Sequence, residues 1–483
     1  MKFSSILYVC VAIVYTWSPI RAQSISSKID EVMQLYHQYG LFSGVVLVAE
    51  NGKPVYQKAL GLANLELDVP HTTDMKFVLG SVTKQFTAVL ILQLVEEGKI
   101  KLDDPISKHI SNYPTSRGND ITIHHLLSHS AGLQHWGGVD DFLLSKARLH
   151  YEKDSIMHLF TTLEERSEPG EEFRYSSIGY YLLGMILENV SGKSYADLLQ
   201  ERIFDPLKMT NSFFSDSDEI IKNRVTPYRY NFLTAKYDNA EYRDPSTTYS
   251  TGGIISTTED LLKWDQALYT NQLLSKESIE LLLKPNFDRY SYGFYVNLRG
   301  EHANLNIRWH GGLVTGYRSQ ITRLIDENKT IILLTNRRDT DTYEITNKII
   351  SILTSKEYEL PRRSLFKFVI EKTANESAES AMAEVDKLIK ANSQDYTLDD
   401  IAIIRAGLEL KSDEAYEKSL QLMQATIELF PETVYITFLH YQIARSYVEL
   451  ENRKKAIEFA EKVLAVNPEH EGARSIVDQW KSE

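Results

Sequence analysis

The chain of 483 residues is long enough for roughly two to four domains. Its 43% hydrophobic and 25% charged content is that of a globular protein with material for large cores. The formal net charge of -13 excludes non-specific nucleic-acid binding, which needs Lys and Arg to neutralise phosphates.

The N-terminal segment stands apart. Lys2 precedes an apolar run from about Ile6 to Trp17, and Ser18, Pro19, Ile20, Arg21 and Ala22 follow. This layout predicts a secretory signal peptide over residues 1–22, cleaved after Ala22. The run is short for a membrane anchor, which takes about 20 apolar residues. Cys10, the only cysteine, lies inside it. The mature chain is then expected to lack disulfides, thiolate metal sites and a cysteine nucleophile. No later stretch is apolar and long enough to span a bilayer. The expected location is periplasmic or secreted.

Residues 23–355 mix strand and helix signals. Gly44 to Glu50 is an apolar, β-rich run, and a second run surrounds Val55 and Tyr56. Asn51-Gly52 between them predicts a hairpin, because both residues tolerate positive φ. Apolar periodicity predicts helices over Phe86 to Val95, with Gly98 as a stop, and over Tyr180 to Asn189. Arg318 to Ile325 and Thr330 to Thr335 read as strands joined by a turn at Asp326-Glu327-Asn328. Strands at both ends with helices between predict an α+β domain.

Ser81-Val82-Thr83-Lys84 carries the first chemical signal. Positions i and i+3 share a helix face, so the Lys84 amine can reach the Ser81 hydroxyl. A buried amine loses affinity for its proton and can serve as a base at neutral pH. His124, His125, His129 and His135 cluster in sequence but lack a His-Glu-x-x-His pattern, and they read as structural. No phosphate loop or dinucleotide fingerprint is present, and neither a metal nor a cofactor is expected.

From about Pro361 the texture changes, and residues 356–483 are expected to form an all-α domain. Ala444, Tyr447, Ala456, Ala460 and Pro468 match tetratricopeptide spacing. A weaker copy ends at Pro431, with Gly407 and Leu410 upstream. Such a tail is a candidate platform for a protein partner; the alternative is a plain helical bundle without a binding role.

Taken with their flanks, these residues resemble a family. Phe77 to Lys84 resembles the Ser-x-x-Lys block of the β-lactamase and penicillin-binding-protein superfamily of serine hydrolases. Leu126 to Leu133, Pro169-Gly170 with Phe173 to Tyr180, Pro206 to Met209 and Gly252 to Thr257 follow in the family order. His310-Gly311-Gly312 sits where relatives carry Lys-Thr-Gly or His-x-Gly. The resemblance covers about Ile25 to Leu353 and none of the tail. It implies a β-lactamase/transpeptidase-like fold, an antiparallel sheet with helices. It also implies Ser81 as nucleophile, Lys84 as its base and Tyr175 as proton shuttle. The backbone N–H groups of Ser81 and Leu313 would form the oxyanion hole, with Ser177, His310 and Gly312 lining the substrate side.

Two departures bear on the substrate. Ser177 stands where the family usually has the Asn of Tyr-x-Asn. His310-Gly311 offers no ammonium and no hydroxyl to a substrate carboxylate. The expected activity is therefore acyl transfer from a small-molecule or peptide ester or amide, of esterase or D-aminopeptidase type rather than β-lactamase. The alternative is an inactive ligand-binding or scaffolding protein that works through its tail.

Overall fold

The computed structural model describes residues 24–143, 145–215, 220–287, 289–297 and 300–481, so the expected signal peptide lies outside the described residues. Helix α1 (Ile25–Gln38) opens the described chain, capped by the Ser24 hydroxyl, which accepts from the Ser27 N–H at 3.1 Å. Strands β1 (Gly44–Glu50) and β2 (Lys53–Leu60) form the expected hairpin, with Asn51 at φ 50° and Gly52 at φ 72°. Helix α2 (Thr83–Glu96) follows a single 3-10 turn at Gly80–Val82 and is buried along nearly its whole length. Helix α3 (Ser177–Ser191) packs beside it, and Gly192 at φ 70° ends it. A small hairpin, β3 (Tyr228–Asn231) and β4 (Lys236–Asn239), leads into helices α4 (Pro245–Gly252) and α5 (Thr258–Ala267).

Five strands then complete the main sheet: β5 (Tyr290–Ser291), β6 (Phe294–Val296), β7 (Ile307–Val314), β8 (Tyr317–Leu324) and β9 (Lys329–Thr335). The sheet order is β5-β6-β7-β8-β9-β1-β2, and every pairing is antiparallel. The first hairpin thus joins strands that come nearly three hundred residues later, with Gly44 opposite Thr335 and Glu50 opposite Lys329.

The sheet is covered on both faces, which is why β1 reads as a continuous apolar run. Alternate residues enter different cores. Val45, Leu47 and Ala49 pack into the large core with α2, α3 and α5, while Val46 and Val48 face α1 and helix α6 (Thr342–Leu353). A buried ion pair ties the sheet to α5: Arg323 Nε donates to Asp265 Oδ1 at 2.5 Å, and the Thr330 hydroxyl donates to Asp265 Oδ2 at 2.6 Å.

After Leu353 the described helices and strands are all helical. Helices α7 (Leu365–Asn375) and α8 (Ala378–Lys390), α9 (Asp400–Ser412) and α10 (Tyr416–Leu429), and α11 (Ile436–Glu449) and α12 (Arg453–Val466) stack as three successive pairs. Helix α13 (Glu471–Lys481) closes the stack. The first pair carries no proline or small-residue spacing of the kind found at Ala444 to Pro468, so it was not legible as a repeat. The tail docks through α7. Leu365 and Phe366 pack against Tyr230, Phe232 and Tyr237 of the small hairpin. Lys367 Nζ donates to the Gly40 carbonyl at 2.6 Å and to the Tyr237 hydroxyl at 3.1 Å, and lies 3.4 Å from Asp339.

Candidate active site

Ser81 sits in the 3-10 turn that starts α2, and it is the partly exposed member of a buried stretch. Strand β7 passes directly against this turn. A Cβ on Gly312 would lie 1.8 Å from the Leu79 carbonyl oxygen, and one on Gly80, at φ +55°, would lie 2.7 Å from the Leu313 nitrogen. Glycine at 80 and 312 is therefore what lets the two backbones meet. The Ser319 hydroxyl fixes the approach by donating to the Leu79 carbonyl at 2.6 Å. The Leu313 side chain points outward, 46% exposed, while its backbone nitrogen faces the turn that carries Ser81.

Lys84 is fully buried one helical turn on. Its Nζ lies 3.1 Å from Ser81 Oγ, 3.2 Å from Ser177 Oγ and 3.0 Å from the Thr251 carbonyl oxygen. Burial pushes its pKa well below the ordinary lysine value, and the Arg243 guanidinium pushes it in the same direction. The Thr251 carbonyl can only accept, so one lysine N–H is committed to it. A neutral amine then keeps a lone pair with which to accept the Ser81 proton. Ser177, the departure from Asn, still reaches the amine through its hydroxyl.

Tyr175 precedes α3, partly exposed, with Lys84 Nζ 5.2 Å from its ring centroid. Desolvation raises its phenol above the ordinary value, and the Tyr295 phenol adds to the shift; the neighbouring Ser81 and Ser177 hydroxyls offset part of it. The shift runs upward because burial of the phenol itself is the largest contribution.

His310 is buried and locked. Its Nδ1 lies 2.7 Å from the Gly311 carbonyl oxygen and so carries the proton, and Nε2 accepts from the Tyr290 hydroxyl at 3.0 Å. Burial, with the nearby Lys84, pushes its pKa down to about 3. At neutral pH it offers no charge to a carboxylate.

Sequence reasoning missed the role of several neighbours. His129 and His135 both accept backbone N–H bonds through Nδ1, from Ser176 at 3.3 Å and Ser177 at 3.1 Å. Their rings lie 4.3 Å and 5.5 Å from that of Tyr175. They hold the entry to α3 in place as neutral imidazoles, and burial takes His135 down to about 4. Tyr290 and Tyr295 complete an aromatic wall with Tyr175 and His310. Thr251 contributes only a backbone carbonyl, which no side-chain motif announces. Among the described residues, no group of three or more His, Cys, Asp or Glu side chains could hold a metal ion. No described helix is long and apolar enough to cross a membrane.

Comparison with known proteins identifies the family and the fold. Residues 25–353 match the family model described as Beta-lactamase. A penicillin-binding protein of Bacillus subtilis is 31% identical over 343 residues, covering 67% of this chain and 74% of the relative. The octameric penicillin-binding protein homologue of Pyrococcus abyssi superposes with a TM-score of 0.61 at 26% identity, over 71% of this chain and 80% of its own. The D-amino acid amidase of Ochrobactrum anthropi, at 22% identity, shares the fold with a TM-score of 0.60 over 68% of this chain and 98% of its own. With the ordered sheet, the Ser-x-x-Lys turn and this match over two thirds of its length, the chain belongs to the Beta-lactamase family.

Proposed function

We propose that the protein is an exported serine hydrolase in which Ser81 forms an acyl-enzyme with an ester, amide or peptide. The observation that carries this reading is the contact between Lys84 Nζ and Ser81 Oγ at 3.1 Å, made by an amine whose burial favours the neutral form. Neutral Lys84 takes the Ser81 proton as the oxygen attacks the substrate carbonyl. The backbone N–H groups of Ser81 and Leu313 stabilise the oxyanion; losing one such donor typically costs about a hundredfold in rate. Tyr175, held protonated by desolvation, gives its proton to the leaving group and recovers one from Lys84 through the Ser177 hydroxyl. Water then attacks the acyl carbon and gives its proton to neutral Lys84; the acyl bond to Ser81 Oγ breaks, Oγ takes that proton back, and the acid is released.

Neutral, locked His310 supports an ester or amide substrate over one recognised at β7 by its carboxylate. The relation to the Bacillus subtilis penicillin-binding protein keeps D-amino-acid peptides within the class. The three stacked helix pairs support a tetratricopeptide-like tail that docks a protein partner, to be checked by pull-down with and without the residues after Pro361. The catalytic test is turnover of 4-nitrophenyl esters, D-amino-acid amides and a chromogenic cephalosporin by wild type and Ser81→Ala. Turnover lost in the variant is the expected result. A folded wild type inert on every substrate would overturn the hydrolase reading and favour the ligand-binding alternative.

A further inference from the structure

The site holds a cation, Arg243, whose only part in the chemistry above is to disfavour the charged form of Lys84. Arg243 lies just before α4, the helix whose far end supplies the Thr251 carbonyl to Lys84. Its Nε donates to the Thr247 hydroxyl at 3.2 Å, and its guanidinium sits 5.4 Å from the Trp136 ring centroid. Trp136 directly follows His135, which accepts the Ser177 N–H at 3.1 Å and whose ring lies 5.5 Å from that of Tyr175, so Arg243 stands at the Tyr175 end of the site.

The neighbouring acids are engaged elsewhere. Asp244 caps α4 by accepting the Ser246 N–H at 3.0 Å, and it lies 3.4 Å from His150 and 3.3 Å from the Tyr242 hydroxyl. Glu241 pairs with Arg229 at 2.7 Å. Among the described residues no carboxylate pairs with Arg243, and burial lowers its pKa only to about 10, so it stays charged. A partly buried guanidinium without a counter-ion is costly, and its planar fork is suited to an anion that would complete it. The fork left free by the Thr247 contact has the shape for a bidentate oxyanion.

We propose that Arg243 is a specificity-determining residue that binds a carboxylate on the substrate, at the end of the site marked by His135 and Tyr175. This rests on the hydrolase reading for its place in turnover, though not for binding. Carboxylate recognition, absent from the His310-Gly311 strand, is thereby supplied from the opposite segment of the chain. The favoured substrates are esters or amides that carry a free acid away from the scissile bond.

The test pairs 4-nitrophenyl glutarate monoester with 4-nitrophenyl butyrate. In wild type, kcat/KM should favour the acid, and Arg243→Gln should lower the acid-to-neutral ratio by about 10- to 100-fold, the span of one charge-assisted pair. Arg243→Lys should recover part of the ratio. Binding of both esters to Ser81→Ala, read by calorimetry, needs no turnover. There the acid should bind at least about tenfold tighter, and adding Arg243→Gln should erase the difference. Equal binding of the two esters to Ser81→Ala would overturn the proposal. A binding preference with no wild-type turnover would sink the hydrolase reading and leave this one standing.

Discussion

Lys84 decides the chemistry because, among the described residues, no carboxylate bonds to it. Its charged form is disfavoured by burial and by Arg243, so the working form is the neutral amine. Activity should therefore rise with pH through the lowered Lys84 pKa and fall below it. Burial holds His135 down to about 4 and His310 down to about 3, so neither changes charge near neutral pH. A pH–rate profile on a neutral ester tests this; an acid limb that survives in Lys84→Ala contradicts it. Lys84→Arg places a permanent cation at Ser81 and should lose about a hundredfold or more in kcat. Tyr175→Phe should lose a comparable factor, with a larger effect on poorer leaving groups, because the phenol acts as the proton donor. The Ser81 and Lys84 pairing was legible in sequence because i and i+3 on one helix is a local relation. Arg243 and Thr251 were not, because their meaning depends on loops brought to Lys84 from over a hundred residues away.

At the scale of elements, the site depends on backbones that meet without side chains between them. Gly312→Ala puts a methyl 1.8 Å from the Leu79 carbonyl, so β7 must move away from the Ser81 turn. Activity should fall by about a hundredfold, as for a lost oxyanion donor, while circular dichroism stays native. Gly192→Ala, by contrast, meets nothing within 4 Å and should cost about 1 kcal/mol for its positive φ, with kcat unchanged. The ion pair of Asp265 and Arg323 holds α5 to the sheet, with both side chains almost wholly buried. Arg323→Ala leaves a buried carboxylate unpaired and should destabilise by about 3–5 kcal/mol in urea unfolding. The double change Arg323→Met with Asp265→Leu should recover most of that loss. The hairpin at Asn51-Gly52 and the strands on either side of Asp326 were legible because turn chemistry is local. The order of the sheet was not, since β1 pairs with β9 across most of the chain.

For the whole molecule, the tail meets the rest of the chain at the small β3-β4 hairpin and at the segments of Gly40 and Asp339. Lys367 joins Gly40, Tyr237 and Asp339, and that hairpin runs directly into the segment of Arg243 and α4. Lys367→Ala should weaken this docking by about 1–3 kcal/mol and hasten proteolysis between residues 354 and 364. Unchanged cleavage would mean that the apolar contacts of Leu365 and Phe366 hold the tail alone. The helical character of the tail was legible from composition. Its first helix pair was not, because Leu365 to Lys390 packs by ordinary apolar burial without the spacing that marks the later pairs. The central claim concerns Ser81, and its most direct measurement is the intact mass of wild type, Ser81→Ala and Lys84→Ala after treatment with a fluorophosphonate. The expected result is one phosphonyl adduct on wild type, none on Ser81→Ala and a strongly slowed adduct on Lys84→Ala. Equal labelling of wild type and Ser81→Ala, or none on folded wild type, would contradict a lysine-activated serine nucleophile.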